Sequence, residues 1–139
     1  MRILGVDFGS KRVGLAISDE TGTIAQSIGY VAPQIEEVLR VATERGAGTI
    51  VVGIPRRLDN TASEQTERTL AFIAALQAAT ALPVQRWDER LTSVQAERVL
   101  IEGNVRRRDR KEKIDQLAAQ LMLQSYLDAK SQENSSGGL

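Results

Sequence analysis

Three short apolar patterns open the chain, and the turns between them are too brief to hold a helix; this spacing constrains the fold more than anything downstream. Ile3, Leu4 and Val6 form the first, a run with the character of a strand buried on both faces. Val13, Leu15 and Ile17 alternate with small residues as the second. The turn Phe8-Gly-Ser-Lys-Arg12 joins them as a β-hairpin, with Gly9 free to take positive φ. Asp19-Glu-Thr-Gly22 then leads to a third strand expected from Thr23 to Val31. Strands connected this tightly return antiparallel, so the sequence predicts a meander.

The pattern then changes period. Pro33 is expected to open a helix in which Ile35, Val38, Leu39 and Ala42 share one face and which Gly46 ends. Thr49-Ile-Val-Val-Gly53 follows as a continuous apolar run, the mark of a central parallel strand. A loop, Ile54 to Asn60, leads to a capping box at Thr61-Ala-Ser-Glu64 and an alanine-rich helix through Leu70, Ile73 and Leu76. Pro83 to Trp87 reads as a fifth strand ending in Asp88-Glu89-Arg90, and a second capping box at Thr92-Ser-Val-Gln95 opens a helix that stops at Gly103. After a polar loop from Asn104 to Lys113, Ile114, Leu117, Leu121 and Ser125 mark a last helix reaching about Ala129. The expected architecture is α/β: a mixed five-stranded sheet, three antiparallel strands then two parallel, with helices on both faces. Residues 1–130 form one domain in this reading, and 131–139 a disordered polar tail.

Asp7 interrupts an apolar central strand, and a carboxylate there needs a basic partner, backbone N–H groups or a metal ion to compensate it. As a turn cap it would be commonplace, but Gly5, Gly9 and Gly14 keep the backbone around it uncluttered and Lys11 and Arg12 stand beside it. In an open sheet the ligand crevice lies at the carboxyl ends of the parallel strands, where Asp7 and Glu89 both fall. Asp115 is a third candidate, since positions 115, 118, 119 and 122 share one helix face and the alanines at 118 and 119 permit close approach to the sheet. Taken alone, Glu89 could merely complement a helix dipole and Asp115 could offset Lys111 or Lys113. The chain has no cysteine and no histidine, which excludes disulfides, thiolate sites and imidazole bases. Three oxygen donors without nitrogen or sulfur describe a hard-cation centre for Mg²⁺ or Mn²⁺, and two such ions about 4 Å apart suffice to hydrolyse a phosphodiester.

Formal net charge is zero, so bulk charge gives no reason to expect a nucleic-acid coat. The charge is local instead: Arg106-Arg-Arg-Asp-Arg-Lys-Glu-Lys113 immediately precedes Asp115, and a cationic loop beside a carboxylate centre suits a nucleic-acid substrate. The expected nucleic-acid contacts are Lys11, Arg12, Arg56, Arg57, Arg90, Arg106, Arg107, Arg108, Arg110 and Lys111. No stretch approaches the roughly 18 to 20 apolar residues of a membrane span, and the amino terminus lacks a signal architecture, so a cytoplasmic protein is expected.

Four stretches in order carry a family resemblance: Ile3-Leu-Gly-Val-Asp-Phe-Gly-Ser-Lys-Arg-Val-Gly-Leu-Ala16, Ile50-Val-Val-Gly-Ile-Pro55, Asp88-Glu-Arg-Leu-Thr-Ser93, and Asp115-Gln-Leu-Ala-Ala119 with Leu123-Gln-Ser-Tyr-Leu127. Together they resemble the YqgF, or RuvX, family over nearly the whole chain. The resemblance implies an RNase H-like fold related to Holliday-junction resolvases and a nuclease that processes the 5′ end of the small-subunit ribosomal RNA precursor. By the same resemblance Asp7, Glu89 and Asp115 match metal-binding acidic positions, and Lys11, Arg12 and Arg90 the basic positions beside them. One departure is Leu58-Asp-Asn-Thr61, where the family usually has a turn like Met-Asp-Gly-Thr.

Three rival readings differ in kind. A junction-resolving DNA endonuclease would use the same chemistry on branched or single-stranded DNA. An assembly factor would bind nucleic acid with vestigial carboxylates. An actin-like phosphate-binding fold would need two domains of this size, which 139 residues do not provide. The helix stripes through Ile35, Leu70, Val99 and Leu117 are each needed to cover the sheet, so a monomer or weak homodimer is expected, with Phe72 and Leu76 as the surface that could serve a partner.

Overall fold

The computed structural model describes residues 1–55, 64–88 and 117–131. Strands β1 (Arg2–Phe8), β2 (Val13–Ser18) and β3 (Ala25–Val31) form the expected antiparallel meander. Strands β4 (Ala47–Ile54) and β5 (Val84–Asp88) add in parallel on the other side of β1, giving the order β3-β2-β1-β4-β5. The central strand is thus the one that carries Asp7. Helices α1 (Ile35–Glu44) and α2 (Glu64–Ala79) cover one face, and a C-terminal helix described over 117–131 covers the other.

The period-two alternation of the strands decides which core each side chain joins. Leu4, Val6, Val13, Leu15, Ile50 and Val52 interlock with Val38 and Val41 of α1 and with Phe72, Ile73 and Leu76 of α2. Ala16 and Val51, with Ile3 and Trp87, meet Ala119, Met122, Leu123, Tyr126 and Leu127 of the C-terminal helix. Phe72 and Leu76 therefore belong to the core and are not a spare surface; α2 turns a broader face inward than its Leu70-Ile73-Leu76 spacing suggests, burying Thr66 and Thr69 as well.

Other differences from the expected elements have local causes. β3 begins at Ala25 because the Asp19 carboxylate accepts the backbone N–H groups of Thr23 (2.8 Å) and Ile24 (3.0 Å), holding both in the turn. Helix α1 begins at Ile35 because the N–H of Gln34 is bonded to the Ala32 carbonyl (2.7 Å), leaving Gln34 extended as the cap. Gly46 ends α1 as expected, with φ at 68° and its N–H on the Thr43 carbonyl. The C-terminal helix buries a seam adjacent to the expected one: Leu117, Leu121 and Ser125 are half-buried, whereas 119, 122, 123, 126 and 127 are buried. Residue 131 is still helical. The first three residues of the expected capping box at 61–64, the second box at 92–95, the helix expected to Gly103, the loop expected at 104–113, Ile114 and residues 132–139 of the expected tail lie outside the described residues.

The C-terminal helix is also tied to the edge of the meander. Gln124 accepts the Ala25 N–H (2.9 Å) and donates to the Thr23 carbonyl (2.9 Å), while Gln120 donates to the Ala25 carbonyl (3.3 Å). These bonds use backbone groups at the start of edge strand β3 that would otherwise be open to another chain.

Candidate active site

Asp7 is the penultimate residue of β1 and pairs with Gly14 of β2. Alternation puts it on the same face as Ile3 and Gly5, beneath the C-terminal helix, and leaves it half-buried. Its neighbour Phe8 points the other way and stacks on Phe72, with ring centroids 4.5 Å apart and 27° between planes. Consecutive residues at the end of β1 are therefore divided between an apolar anchor on one face and a carboxylate on the other.

The face that holds Asp7 is lined with small residues. A Cβ added to Gly5 would lie 2.8 Å from Leu123 Cβ, so the helix rests almost on the strand backbone. A Cβ added to Gly14 would lie 3.6 Å from Ala119 Cβ, 3.6 Å from Tyr30 Cε1 and 3.7 Å from Asp7 Cβ. Gly14 is thus the point around which Asp7, Tyr30 and the helix at Ala119 gather. The close approach inferred from alanines on the last helix is present at Ala119.

Two polar side chains of α2 hold this end of the sheet in place. Gln65 Nε2 donates to the Phe8 carbonyl (3.0 Å), and the Thr66 hydroxyl donates to the Pro55 carbonyl just beyond β4. The first turn of α2 is in this way laced to the carboxyl ends of β1 and β4. Neither residue carries a sequence signal for this role. At β5, Trp87 meets Tyr126 edge to face at 5.5 Å and its indole N–H donates to Ser125 (3.3 Å), while the Tyr126 hydroxyl donates to Gln85.

Lys11 and Arg12 are exposed in the hairpin turn, one turn from Asp7, and the Arg12 guanidinium carbon lies 4.2 Å above the centre of the Tyr30 ring. Gly9 does not take positive φ; among the described residues Gly22, Gly29 and Gly46 do. It is needed for space, since a Cβ there would stand 2.6 Å from the Arg12 carbonyl oxygen, which accepts the Gly9 N–H at 3.1 Å. Glu89, Asp115, Arg56, Arg57, Arg90, Arg106, Arg107, Arg108, Arg110 and Lys111 lie outside the described residues. Among the described residues no three carboxylates converge.

Two groups away from this end show clear electrostatic perturbation. The Asp19 carboxyl is held well below the usual carboxylate range by the Ile24 N–H, the Thr21 hydroxyl and the Thr23 N–H. Hydrogen bonds from Arg40 to Glu37 and Glu44 raise the Arg40 guanidinium above its usual value. Both residues are exposed and serve local structure: a turn in the first case, ion pairs along α1 in the second.

The family model described as "RuvX: Holliday junction resolvase" matches residues 1–129. A protein of Pelotomaculum thermopropionicum is 39% identical over 99% of this chain and 94% of its own length, and one of Thermoanaerobacter pseudethanolicus is 44% identical over 96% and 99%. A protein of Listeria monocytogenes is 45% identical over 92% of this chain and 98% of its own length; all three bear the name "Putative pre-16S rRNA nuclease". Among solved structures, the fowlpox virus Holliday junction resolvase aligns over 93% of this chain and 99% of its own, with a TM-score of 0.54 and 19% identity. Thermus thermophilus RuvC aligns over 94% and 96%, with a TM-score of 0.54 and 14% identity. These structures share the RNase H-like fold with this protein, and the full-length relatives and the family model establish something narrower: the chain belongs to the RuvX family.

Proposed function

We propose that the protein is a divalent-metal-dependent nuclease that hydrolyses phosphodiester bonds in the 5′-end maturation of pre-16S ribosomal RNA. The observation that carries this reading is the position of Asp7: at the carboxyl end of the central strand, on the face where Gly14 and Ala119 bring the C-terminal helix down to the sheet. Asp115 stands four residues before Ala119 in the sequence, and Glu89 two residues after Trp87, which packs on the face of Asp7. The donor set fits a hard cation, because the chain offers carboxylates and neither histidine nor cysteine. Asp7, Glu89 and Asp115 would hold Mg²⁺ or Mn²⁺, as two ions in this reading, and the bound metal would supply an activated water and neutralise charge on the phosphate.

The remaining work falls to the chain's own groups. Lys11 and Arg12 project from the hairpin beside Asp7, where they attract and orient the phosphate backbone. Arg56, Arg57, Arg90, Arg106, Arg107, Arg108, Arg110 and Lys111 extend that contact. Gln65, Thr66 and the Phe8–Phe72 stack fix the strand ends, so that the Asp7 carboxylate is oriented before substrate arrives.

Ribosomal RNA is preferred over a DNA junction as substrate because the full-length relatives at 39% to 45% identity carry the ribosomal name, whereas the resolvases at 14% and 19% share the fold. Symmetric junction cleavage also calls for a two-fold dimer. Among the described residues the exposed large apolar side chains are Met1, Ile24 and Tyr30, a set that fits a monomer or weak homodimer. No described helix is long and apolar enough to cross a membrane; a cytoplasmic enzyme of one domain, residues 1–130, completes the reading. Incubating the protein with labelled single-stranded RNA, duplex DNA and a symmetric four-way junction, with chelator, Mg²⁺ or Mn²⁺, tests it. Metal-dependent cleavage of the RNA is expected. Paired nicks in the junction by a tight dimer would favour the resolvase, and binding without cleavage the assembly factor.

A further inference from the structure

We propose that Tyr30 and Arg12 form a stacking platform for one unpaired nucleobase of the substrate strand, beside the nucleotide whose phosphate faces Asp7. The inference deepens the nuclease reading and rests on it. Asp7, Gly14 and Tyr30 are register partners across β1, β2 and β3, on one face of the sheet. Gly14 has no side chain to fill the space between them, and a Cβ built there would touch both Asp7 Cβ and Tyr30 Cε1. Two strand spacings put the Tyr30 backbone about 10 Å from that of Asp7, the reach of a neighbouring nucleotide.

Tyr30 is 39% exposed, although Ile28 and Val31 beside it turn inward to pack on the other core. Its ring lies over Gly14 with its edge toward the Asp7 side, and more than a third of the residue faces solvent. The guanidinium of Arg12 lies over that ring at 4.2 Å while Arg12 itself remains exposed. A planar cation held in this way can take a base on its outer face, or swing to a phosphate and yield the ring to the base. Either arrangement accepts any base, because every base has a π-face, but it requires a base released from its own stack. The platform therefore selects single-stranded or frayed substrate over continuous duplex. A rival role for the same contact would be to park Arg12 for phosphate binding, with no base involved.

Binding in chelator, where no metal-dependent cut can occur, separates these roles and keeps the test independent of the nuclease reading, whose failure would show as absence of cleavage with metal. The full chain is titrated with single-stranded RNA oligonucleotides carrying 2-aminopurine at each position in turn. Fluorescence quenching is expected at one position. Tyr30→Ala should abolish that quench and weaken binding on the order of ten-fold, whereas Tyr30→Phe keeps both and shows that the ring is what matters. An abasic nucleotide at the quenched position should cost wild type the same factor and cost Tyr30→Ala nothing further. The proposal is overturned if Tyr30→Ala, folded by its thermal melt, keeps the quench and affinity. It is equally overturned if the abasic loss is the same in both proteins, or if wild type quenches no position.

Discussion

The two faces of the sheet are built from different side chains, and the difference separates stability from chemistry. Toward α1 and α2 the strands present Leu4, Val6, Leu15, Ile50 and Val52, large residues that interlock with Val38, Ile73 and Leu76. Toward the C-terminal helix the same strands present Gly5, Gly14, Ala16 and Val51. Bulky branched side chains hold a helix off the sheet while burying much apolar area. Small ones bury less and let the helix descend until Leu123 meets the backbone at Gly5. A short carboxylate such as Asp7 can converge with groups on a helix only where the helix comes that close. The face that contributes less to the core is the one equipped to hold a site.

Substitutions on the two faces should therefore separate. The largest loss of stability is expected on the bulky face: Leu76→Ala removes a fully buried side chain and should cost about 2 to 5 kcal/mol, with cleavage per folded molecule unchanged. Urea melts paired with initial rates measure both, and a collapse of activity in the folded fraction would break the division. On the small face, Gly5→Ala should cost less stability, about 1 to 3 kcal/mol for overpacking, yet more activity. Its methyl would sit 2.8 Å from Leu123 Cβ and push the helix away, and a displacement of about 1 Å at a reacting centre can cost roughly a hundred-fold in rate. Full activity in Gly5→Ala would mean that the close helix has no part in the chemistry.

Between the faces, Gln65→Ala deletes the bond to the Phe8 carbonyl and should destabilise by about 0.5 to 1.5 kcal/mol. A moderate fall in cleavage rate with little change in RNA affinity is expected if Gln65 orients the end of β1; a change in affinity alone would assign it to binding instead. The smallest effect should come from Asp19→Ala at the far end of the sheet. The folded Asp19 carboxyl titrates below its usual 3.8, so its stabilisation is complete above that value and drains away as pH falls below it. Wild type should accordingly melt somewhat above Asp19→Ala at neutral pH, with the gap narrowing steadily as pH falls below 3.8 and cleavage at neutral pH unaffected. A gap that stays constant into acid would show that the carboxylate form is not what holds the turn.

What the sequence made legible was what periodicity records. The meander, the change to helix-strand alternation and the anomaly of Asp7 in an apolar strand all follow from residue spacing, and the five-strand sheet has the expected order of directions. Contacts created by register were not legible. Tyr30 reaches the surroundings of Asp7 because Gly14 pairs with both, and Gln65 reaches Phe8 across 57 positions of chain; neither has a local signature. On the C-terminal helix the spacing of Ile114, Leu117, Leu121 and Ser125 points to the wrong seam, whereas the face of Ala119 and Met122, expected to approach the sheet closely, is the buried one. Gly9 does not use the positive φ open to glycine; it is needed because a Cβ would collide with the Arg12 carbonyl.

Whether Asp7 serves chemistry rather than the fold is tested most directly by Asp7→Asn, with cleavage and stability measured on the same preparation. The amide keeps the shape and removes the charge. Metal-dependent cleavage should be abolished, while the metal-free melting temperature stays where it was or rises slightly through relief of repulsion among acidic groups. Retained cleavage, or a loss of several kcal/mol of metal-free stability, would contradict the account and return Asp7 to a structural role.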